Sequence, residues 1–247
     1  MVVIALDRIV KVYGSGDTEV TALRDVSLQV ESGDYVAIMG ASGSGKSTML
    51  NIIGCLDSPT DGSYRLNGID VAGLESKELA RVRNRQLGII FQSFNLIPRM
   101  SVLENVELPL TYSGAGQAER RERAMAALAK VGMADRVKHH PTQLSGGQQQ
   151  RAAVARALVT EPALILADEP TGNLDSASTT DVLRLLDELN AAGHTIAVIT
   201  HENDVAAHTK RLVTMVDGRI VQDQRLSQLA GPPPRLAAPA PATTGAP

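Results

Sequence analysis

Three short runs of apolar residues stand out along the chain, and none of them has a polar face. They cover residues 35–39, 164–167 and 195–200. Strands without a polar face are expected inside a parallel sheet that helices cover on both sides. Each run leads through polar or glycine-rich residues into a helical pattern, at 47–56, 176–191 and 203–208. This alternation predicts an α/β fold with a mainly parallel sheet, whose ligands bind beyond the carboxyl ends of the strands.

Two other regions depart from this alternation. Near the N-terminus, apolar and polar residues alternate over residues 2–12 and 21–30, which predicts an antiparallel, half-exposed β subdomain. Between about residues 95 and 159 the strand pattern disappears and helical patterns dominate, with the spacing of a capping box at Ser101 and Glu104. The simplest interpretation is a helical subdomain, at about 95–159, inserted into the α/β core.

The end of the chain has a different composition from the rest. Residues 231–247 are almost entirely Pro, Ala, Thr and Gly, which supply too little apolar bulk to offset the entropy of an ordered chain. We therefore expect one folded unit over residues 1–230, followed by a disordered tail.

The composition narrows the functional classes. The 247 residues carry a formal net charge of -3 and only 2% aromatic residues, which argues against a dedicated nucleic-acid partner. The single cysteine, Cys55, cannot form an internal disulfide, so a reducing, cytoplasmic location is expected. The apolar runs are far shorter than the ~20 residues of a membrane-spanning helix, so binding to a membrane is expected to depend on a partner.

A glycine-rich segment at residues 40–47 fits the phosphate-loop pattern and lies between a predicted strand and a predicted helix. Its glycines let backbone N–H groups converge on an anion, Lys46 is placed to reach the β- and γ-phosphates, and Ser47 is placed to bind magnesium. A flexible turn is the alternative, but it does not explain the flanking strand and helix. The predicted phosphate-binding residues are Gly40, Ala41, Ser42, Gly43, Ser44, Gly45, Lys46, Ser47 and Thr48.

Two carboxylates, Asp168 and Glu169, follow the apolar run at 164–167. This form is expected of the magnesium-holding strand in a phosphate-loop nucleotidase. Asp168 is then predicted to hold the metal, and Glu169 to orient or deprotonate the water that attacks the γ-phosphate. The alternative is that both acids cap the following turn, but their pairing with Lys46 favours the catalytic interpretation.

A second glycine-rich segment, Leu-Ser-Gly-Gly-Gln-Gln-Gln-Arg at residues 144–151, opens another helical run. Ser145 and Gln148 have the spacing of a capping box, so a helix start alone explains both. It does not explain Gly146 and Gly147, which leave backbone N–H groups open to a phosphate. With this segment, the chain from about residue 1 to about 225 resembles the ATP-binding subunits of ABC transporters. The resemblance implies a RecA-like phosphate-loop NTPase core.

The same resemblance gives roles to further residues. Tyr13 matches the aromatic residue that stacks on adenine, and Gln92 matches the glutamine that reaches magnesium and the attacking water. His201 matches the switch histidine that contacts the γ-phosphate. The segment 172–175 matches a loop that crosses to a second subunit, although its last residue, Asp175, also has the position of a helix cap.

A mechanism and its partners follow from the resemblance. In this family two cassettes meet head to tail, so that ATP on the phosphate loop of one is covered by the segment around Ser145 and Gly147 of the other. Hydrolysis opens the dimer and moves a transmembrane permease docked near Gln92, which places the chain at the inner face of the cell membrane. The implied catalytic residues are Glu169, His201 and Gln92; the implied magnesium ligands are Ser47, Gln92 and Asp168; and Tyr13, Ser145, Gly146 and Gly147 join the ATP-binding set.

Four further segments indicate which group within this family the chain resembles. Residues 50–57, 91–98, 104–109 and 170–175 resemble the macrolide-export, lipoprotein-release and cell-division group, whose permeases are thought to transmit mechanical work. The macrolide-export ATPases are fused to their permease, so the short tail here implies a separate permease chain. An importer subunit is the nearest alternative. A DNA-repair or translation ATPase is a further alternative, but it would carry a long insertion or a second cassette.

Overall fold

A computed structural model describes residues 1–226. The predicted tail at 231–247 and the predicted boundary at 230 lie outside the described residues. The strands are β1 (Val2–Tyr13), β2 (Val20–Glu31), β3 (Tyr35–Gly40), β4 (Asp61–Leu66), β5 (Ile69–Asp70), β6 (Leu87–Ile90), β7 (Leu164–Asp168), β8 (Ile196–Ile199), β9 (Arg211–Val216) and β10 (Arg219–Arg225). The α-helices are α1 (Lys46–Ile53), α2 (Ser76–Gln86), α3 (Val102–Ser113), α4 (Gln117–Lys130), α5 (Gly146–Leu158), α6 (Ser176–Ala191) and α7 (Asn203–Ala207).

The main sheet has six strands in the order β10-β9-β3-β8-β7-β6. All neighbouring pairs are parallel except β10 with β9. The three predicted apolar strands are β3, β8 and β7, which are adjacent and almost completely buried. The α/β fold with a mainly parallel sheet is therefore confirmed. Because the strands are parallel, the segments that follow β3, β8, β7 and β6 all leave the sheet at one edge.

A second sheet forms near the N-terminus, as the alternating pattern predicts. Its four strands have the order β2-β1-β4-β5, and each pair is antiparallel. The buried side chains of β1 and β2 pack in one cluster with α1 and with residues of the main sheet, such as Ile38 and Ile199. This packing holds the second sheet beside α1, the helix that follows the phosphate loop.

Helices α3, α4 and α5 lie between residues 95 and 159 and pack, with α6, in a core that reaches β7 and β8. At the start of α3, Ser101 Oγ accepts from the N–H of Glu104, and Glu104 Oε2 accepts from the N–H of Ser101, so the predicted capping box is confirmed. The limits of a helical subdomain at 95 and 159 stay a prediction. In the part of the chain described, no helix has the length and apolar character needed to cross a membrane.

Two local features differ from the sequence-based prediction. The helix predicted at 47–56 ends at Ile53, because Cys55 takes a left-handed backbone conformation with φ 52°. Cys55 is nevertheless buried, as expected for a small core residue. Helix α2 was not predicted, and none of its residues is buried. Leu79 and Val82 pack against the core but are only partly buried, so the apolar stripe of this helix is short and lies among charged residues.

Candidate functional site

The predicted phosphate loop connects β3 to α1, and three of its glycines are sterically required. Gly43 and Gly45 have φ of 81° and 99°, in the region that only glycine enters readily. A Cβ on Gly40 would collide with Ser44 Oγ and would lie 2.5 Å from the carbonyl oxygen of Met215. The loop therefore wraps tightly around the N-terminus of α1, where unpaired backbone N–H groups and the helix dipole favour an anion.

An open cavity of about 1320 Å³ lies over this loop. Ten of the predicted site residues line it: Gly40, Ala41, Ser42, Gly43, Gly45, Lys46, Ser47, Thr48, Glu169 and His201. Ser44 is buried beneath the loop, and its Oγ has no hydrogen-bond partner in the described part of the chain. The cavity thus joins the phosphate loop to the carboxyl ends of β7 and β8.

Lys46 is the first residue of α1, and its side chain folds over the phosphate loop. Its Nζ donates to the carbonyl oxygens of Gly40 and Ala41, both at 2.8 Å. Partial burial lowers the pKa of Lys46, while the nearby carboxylates of Glu169 and Asp168 oppose that shift. The ammonium group is therefore held between the phosphate loop and the two acids that follow β7.

The two acids differ in their surroundings. Asp168 is the last residue of β7, and its pKa is raised by burial and by the negative charge of Glu169. Glu169 has left β7 and takes a left-handed conformation with φ 43°, while its N–H donates to the carbonyl oxygen of Ile199 at 2.8 Å. A non-glycine residue in this conformation is strained, and such strain concentrates at functional sites.

His201 follows β8 and meets Glu169 across the mouth of the cavity. Its Nδ1 lies 2.7 Å from Glu169 Oε1, with side-chain exposures of 60% for the histidine and 23% for the glutamate. This contact fixes the orientation of the carboxylate. Within residues 1–226, Oε2 of Glu169 has no protein donor and is the oxygen available to a water molecule.

Gln92 follows β6 and does not line the cavity. Its carbonyl oxygen accepts from Asn173 Nδ2 at 3.1 Å. Its side-chain amide lies against Gly172, where a Cβ would approach Nε2 to 2.5 Å. Gln92 therefore contacts the loop that follows Glu169, at the next strand along the sheet edge.

Ser145, Gly146 and Gly147 lie at the start of α5, and none of them lines the cavity. Ser145 is exposed and accepts from the N–H of Gln148 at 3.3 Å, so the capping box is present. Gly147 packs against α6, where a Cβ would lie 2.7 Å from Ser178 Oγ. The segment is therefore not part of the cavity over the phosphate loop of its own chain.

Asp175 and Tyr13 complete the predicted set. Asp175 caps α6 by accepting from the N–H of Ser178 at 2.9 Å. Tyr13 ends β1 and is 40% exposed, and it does not line the cavity. Its hydroxyl donates to Asp57 Oδ2 at 2.8 Å, a contact between residues 44 positions apart.

The turn between β9 and β10 lines the cavity, and sequence reasoning missed it. The N–H of Gly218 donates to the carbonyl oxygen of Ser44 at 3.0 Å, and a Cβ on Gly218 would lie 2.6 Å from the carbonyl oxygen of Ala22. This turn therefore stabilises the phosphate loop through a backbone hydrogen bond to Ser44. The sequence marks this turn by the pair Asp217-Gly218. The pair predicts a turn, but it does not predict that the turn contacts the phosphate loop.

Gln150 of α5 is a second residue that sequence reasoning missed. Its side chain is fully buried, and Nε2 donates to the carbonyl oxygen of Pro170 at 2.6 Å and, more weakly, to that of Phe91 at 3.5 Å. Pro170 follows Glu169, and Phe91 precedes Gln92. One amide on α5 thus connects the two loops that carry predicted catalytic residues.

We expect Gln150→Leu to destabilise the fold and slow turnover. The substitution leaves the buried carbonyl of Pro170 without its donor, which costs about 1–3 kcal/mol of unfolding free energy. Urea denaturation and phosphate release measure the two effects. The control is Gln149→Leu, whose amide donates only to Leu144 at the start of the same helix. Equal behaviour of the two variants would contradict a specific role for Gln150.

Comparison with known proteins agrees with this geometry. The sequence model of the ABC transporter family matches residues 23–172, more than half of the chain. The macrolide export ATP-binding/permease protein of Burkholderia thailandensis is 54% identical over 219 residues, which are 89% of this chain and 34% of that protein. The uncharacterised ABC transporter ATP-binding protein YknY of Bacillus subtilis is 53% identical over 218 residues, covering 88% of this chain and 95% of that protein.

The solved structures include similar cassettes. The dimeric ATP-binding cassette MJ0796, in a post-hydrolysis state with ADP and Pi, has a TM-score of 0.82 and 44% identity, over 90% of this chain and 98% of that chain. Our chain spans about a third of the length of the macrolide export relatives that it matches. The resemblance to the macrolide-export, lipoprotein-release and cell-division group is confirmed by these relatives. The chain belongs to the ABC transporter family, and its fold is that of an ATP-binding cassette.

Proposed function

We propose that the chain powers an export-type or mechanotransmitting ABC transporter by hydrolysing ATP in the cavity over the phosphate loop. The observation that supports this proposal is that Lys46, Glu169 and His201 all line that one cavity. Export rather than import is supported by the macrolide export relatives, which match nine-tenths of this chain at about half identity. No observation favours the importer, DNA-repair or translation alternatives.

The proposed roles follow from the contacts. Lys46 and the backbone N–H groups of the phosphate loop bind the β- and γ-phosphates. Glu169 is the general base, since its Oε2 is available to a water molecule while His201 holds Oε1 at 2.7 Å. His201, on the exposed side of this pair, contacts the γ-phosphate. Gln92 contacts Gly172 in the loop after Glu169, so a movement of that loop on hydrolysis would also move Gln92.

Three predicted ligands carry oxygen donors of the kind that magnesium binds, and of the three Ser47 lines the cavity. Ser47, Gln92 and Asp168 offer hydroxyl, amide and carboxylate oxygens, which are the ligands that magnesium prefers. Burial and the neighbouring Glu169 raise the pKa of Asp168, so a cation bound beside it would favour its ionised form. We propose that these three residues hold the ion, which when bound neutralises charge on the phosphates.

We further propose a head-to-tail dimer of two cassettes. Ser145 is exposed at the N-terminus of α5 and does not line the cavity of its own chain. In the dimer, Ser145, Gly146 and Gly147 would cover the nucleotide bound to the partner's phosphate loop. Gly146 has room for a close approach, because a Cβ there would meet nothing nearer than 3.4 Å. The similar cassette MJ0796 was solved as a dimer.

A groove between α2, β6 and α3 is the proposed docking surface for the permease, and we call it the docking groove. Its volume is about 720 Å³. It is lined by Lys77, Ala80, Arg81, Arg83, Asn84, Arg85, Leu87, Gly88, Ile89, Phe91, Leu108, Pro109, Tyr112, Arg156, Ala157 and Thr160. Phe91 connects it directly to Gln92, so that a permease segment seated here would sense the state of the nucleotide site.

The charge of the docking groove indicates the kind of segment that binds it. Five of its lining residues are basic, and none of the described residues that line it is Asp or Glu. Leu108 and Tyr112 add apolar surface, and Tyr112 is 75% exposed. An amphipathic, acidic segment of the permease complements such a surface. The location at the inner face of the membrane and a separate permease chain stay predictions.

The proposed function is tested by co-purification and reconstitution. The tagged chain, isolated from detergent-solubilised membranes of its source, should carry an integral permease that alters ATP turnover in proteoliposomes. We expect Tyr112→Asp to lower permease recovery about tenfold or more, because it removes apolar contact surface and places a negative charge against the proposed acidic segment of the permease. The control is Ile69→Asp, an exposed apolar residue on β5 of the other sheet. Full permease recovery with Tyr112→Asp would refute the docking surface, and turnover unaffected by any co-purified membrane protein would refute the transport function.

A further inference from the structure

The side chains of Lys11, Tyr13 and Asp57 contact one another at the end of β1. Asp57, in the loop after α1, accepts from Lys11 Nζ at 2.7 Å through Oδ1 and from the hydroxyl of Tyr13 at 2.8 Å through Oδ2. Lys11 also donates to the carbonyl oxygen of Ser58 at 2.8 Å. Both oxygens of one carboxylate are therefore used to connect β1 to the segment that follows the phosphate-loop helix.

Lys11 and Asp57 define the position of the Tyr13 ring. The Lys11 ammonium lies 4.9 Å from the ring centroid, the geometry of a cation–π contact. It occupies one face of the ring, while Tyr13 as a whole stays 40% exposed. The ring thus has a cation over one face, while part of the residue stays accessible to solvent.

The electrostatics keep this arrangement in one protonation state. Burial alone would raise the pKa of Asp57, but hydrogen bonds from Lys11, Tyr13 and the N–H of Ser58 hold it below its ordinary value. The pKa of Tyr13 is raised by burial and by Asp57. At neutral pH the carboxylate is therefore ionised, and the phenol keeps the proton that it donates.

This set of contacts lies next to the proposed nucleotide site. Tyr13 of β1 pairs with Val20 of β2, and Val20 lines the cavity over the phosphate loop. A tyrosine at a strand end that lacked such contacts would lose rotational freedom on stacking against a base. Here the hydrogen bond to Asp57 restricts the ring before any ligand arrives.

We propose that Asp57 and Lys11 are positioning residues that hold the Tyr13 ring in place for the purine base of the nucleotide. This inference rests on the proposed function, because it needs ATP to bind at the phosphate loop. It separates two parts of the site: the phosphate loop binds the triphosphate, and the Lys11–Asp57–Tyr13 contacts act only on the base.

Two probes separate these parts in calorimetric titrations of the full chain: an imido analogue of ATP and inorganic tripolyphosphate, each with magnesium. We expect Asp57→Ala to weaken binding of the ATP analogue about 3- to 10-fold, because an oriented stacking partner is lost, and to leave tripolyphosphate binding unchanged. Tyr13→Phe, which keeps the ring but lacks the hydroxyl, should behave in the same way. Asp57→Asn should restore part of the loss, since an amide oxygen still accepts from Tyr13.

Control variants distinguish a failure of the positioning role from a failure of ATP binding itself. Asp7→Ala removes an exposed carboxylate from the same strand, where it pairs only with its neighbour Arg8, and should change neither titration. In a Tyr13→Ala background, Asp57→Ala should have no further effect on the analogue. Equal losses for both probes, or an unchanged affinity for the analogue, would overturn the positioning role. A parent chain that binds neither probe would overturn the ATP-binding function itself.

Discussion

The variant Lys46→Ala is expected to lose nearly all ATP binding and turnover, by about 100-fold or more, because a charge-assisted contact to phosphate is removed. Lys46 is the basic residue of the phosphate loop itself, and its Nζ already lies over that loop at 2.8 Å from two of its carbonyl oxygens. Two arginines, Arg24 and Arg219, also line the cavity, but they extend from β2 and β10. Phosphate release and calorimetric titration with ATP measure the loss.

The matched control for this variant is Lys138→Ala, which removes an exposed lysine from the loop after α4. It should retain the parental turnover. Lys46→Ala should also keep the parental unfolding temperature, since its side chain contacts a surface loop rather than the core. Normal ATPase activity in Lys46→Ala would contradict the phosphate-loop assignment.

The variant Glu169→Gln is expected to separate nucleotide binding from hydrolysis. The amide keeps nearly the size of the carboxylate and can still contact His201, but it cannot accept a proton from water at neutral pH. The chemical step should therefore slow by roughly 10²-fold or more. ATP affinity should be largely retained, because Lys46, Ser47 and Asp168 are unchanged. Single-turnover hydrolysis and equilibrium binding measure the two quantities separately.

The same variant tests the proposed dimer. If hydrolysis opens the head-to-tail dimer, Glu169→Gln should elute as a dimer on gel filtration with MgATP and as a monomer without it. Adding Ser145→Arg should abolish that dimer, because a bulky side chain would meet the partner's nucleotide. Parental hydrolysis by Glu169→Gln would mean that the base lies elsewhere. A variant that stays monomeric at saturating ATP would refute the ATP sandwich for this chain alone.

Motifs with short spacing could be predicted from the sequence with their structural context. The loop at 40–47 lies between a strand and a helix as predicted, and Asp168 and Glu169 stand at the end of a buried strand. These predictions were correct because phosphate binding requires glycine, lysine and carboxylate residues close to the ends of strands, and such short spacings are visible in the sequence itself. The parallel order of the buried strands then follows from their lack of a polar face.

Contacts between distant segments could not be predicted in the same way. Asp57 reaches Tyr13 across 44 residues, and Gln150 reaches Pro170 across 20, and neither pair leaves a local pattern. Gln150 would be expected on a polar helix face by its type, and only the packing of α5 against the loop after β7 buries it. Helix α2 was missed because it has no fully buried residue and its contact with the core is made by the partly buried Leu79 and Val82.

The position of β3 in the sheet has a consequence for biosynthesis. Its partner strands β8 and β9 come from the far end of the chain, so that Val36 pairs with Ala197 on one side and with Arg211 on the other. The turn at Gly218, which supports the phosphate loop, is made later still. During synthesis the N-terminal segments emerge first, and contacts of such large sequence separation cannot form until both partners have left the ribosome. Residues 40–47 are therefore expected to acquire their nucleotide-binding shape only after β9 and the turn at Gly218 have left the ribosome. A nascent chain that stops before β9 would have the complete phosphate-loop motif without the strands and the turn that support it.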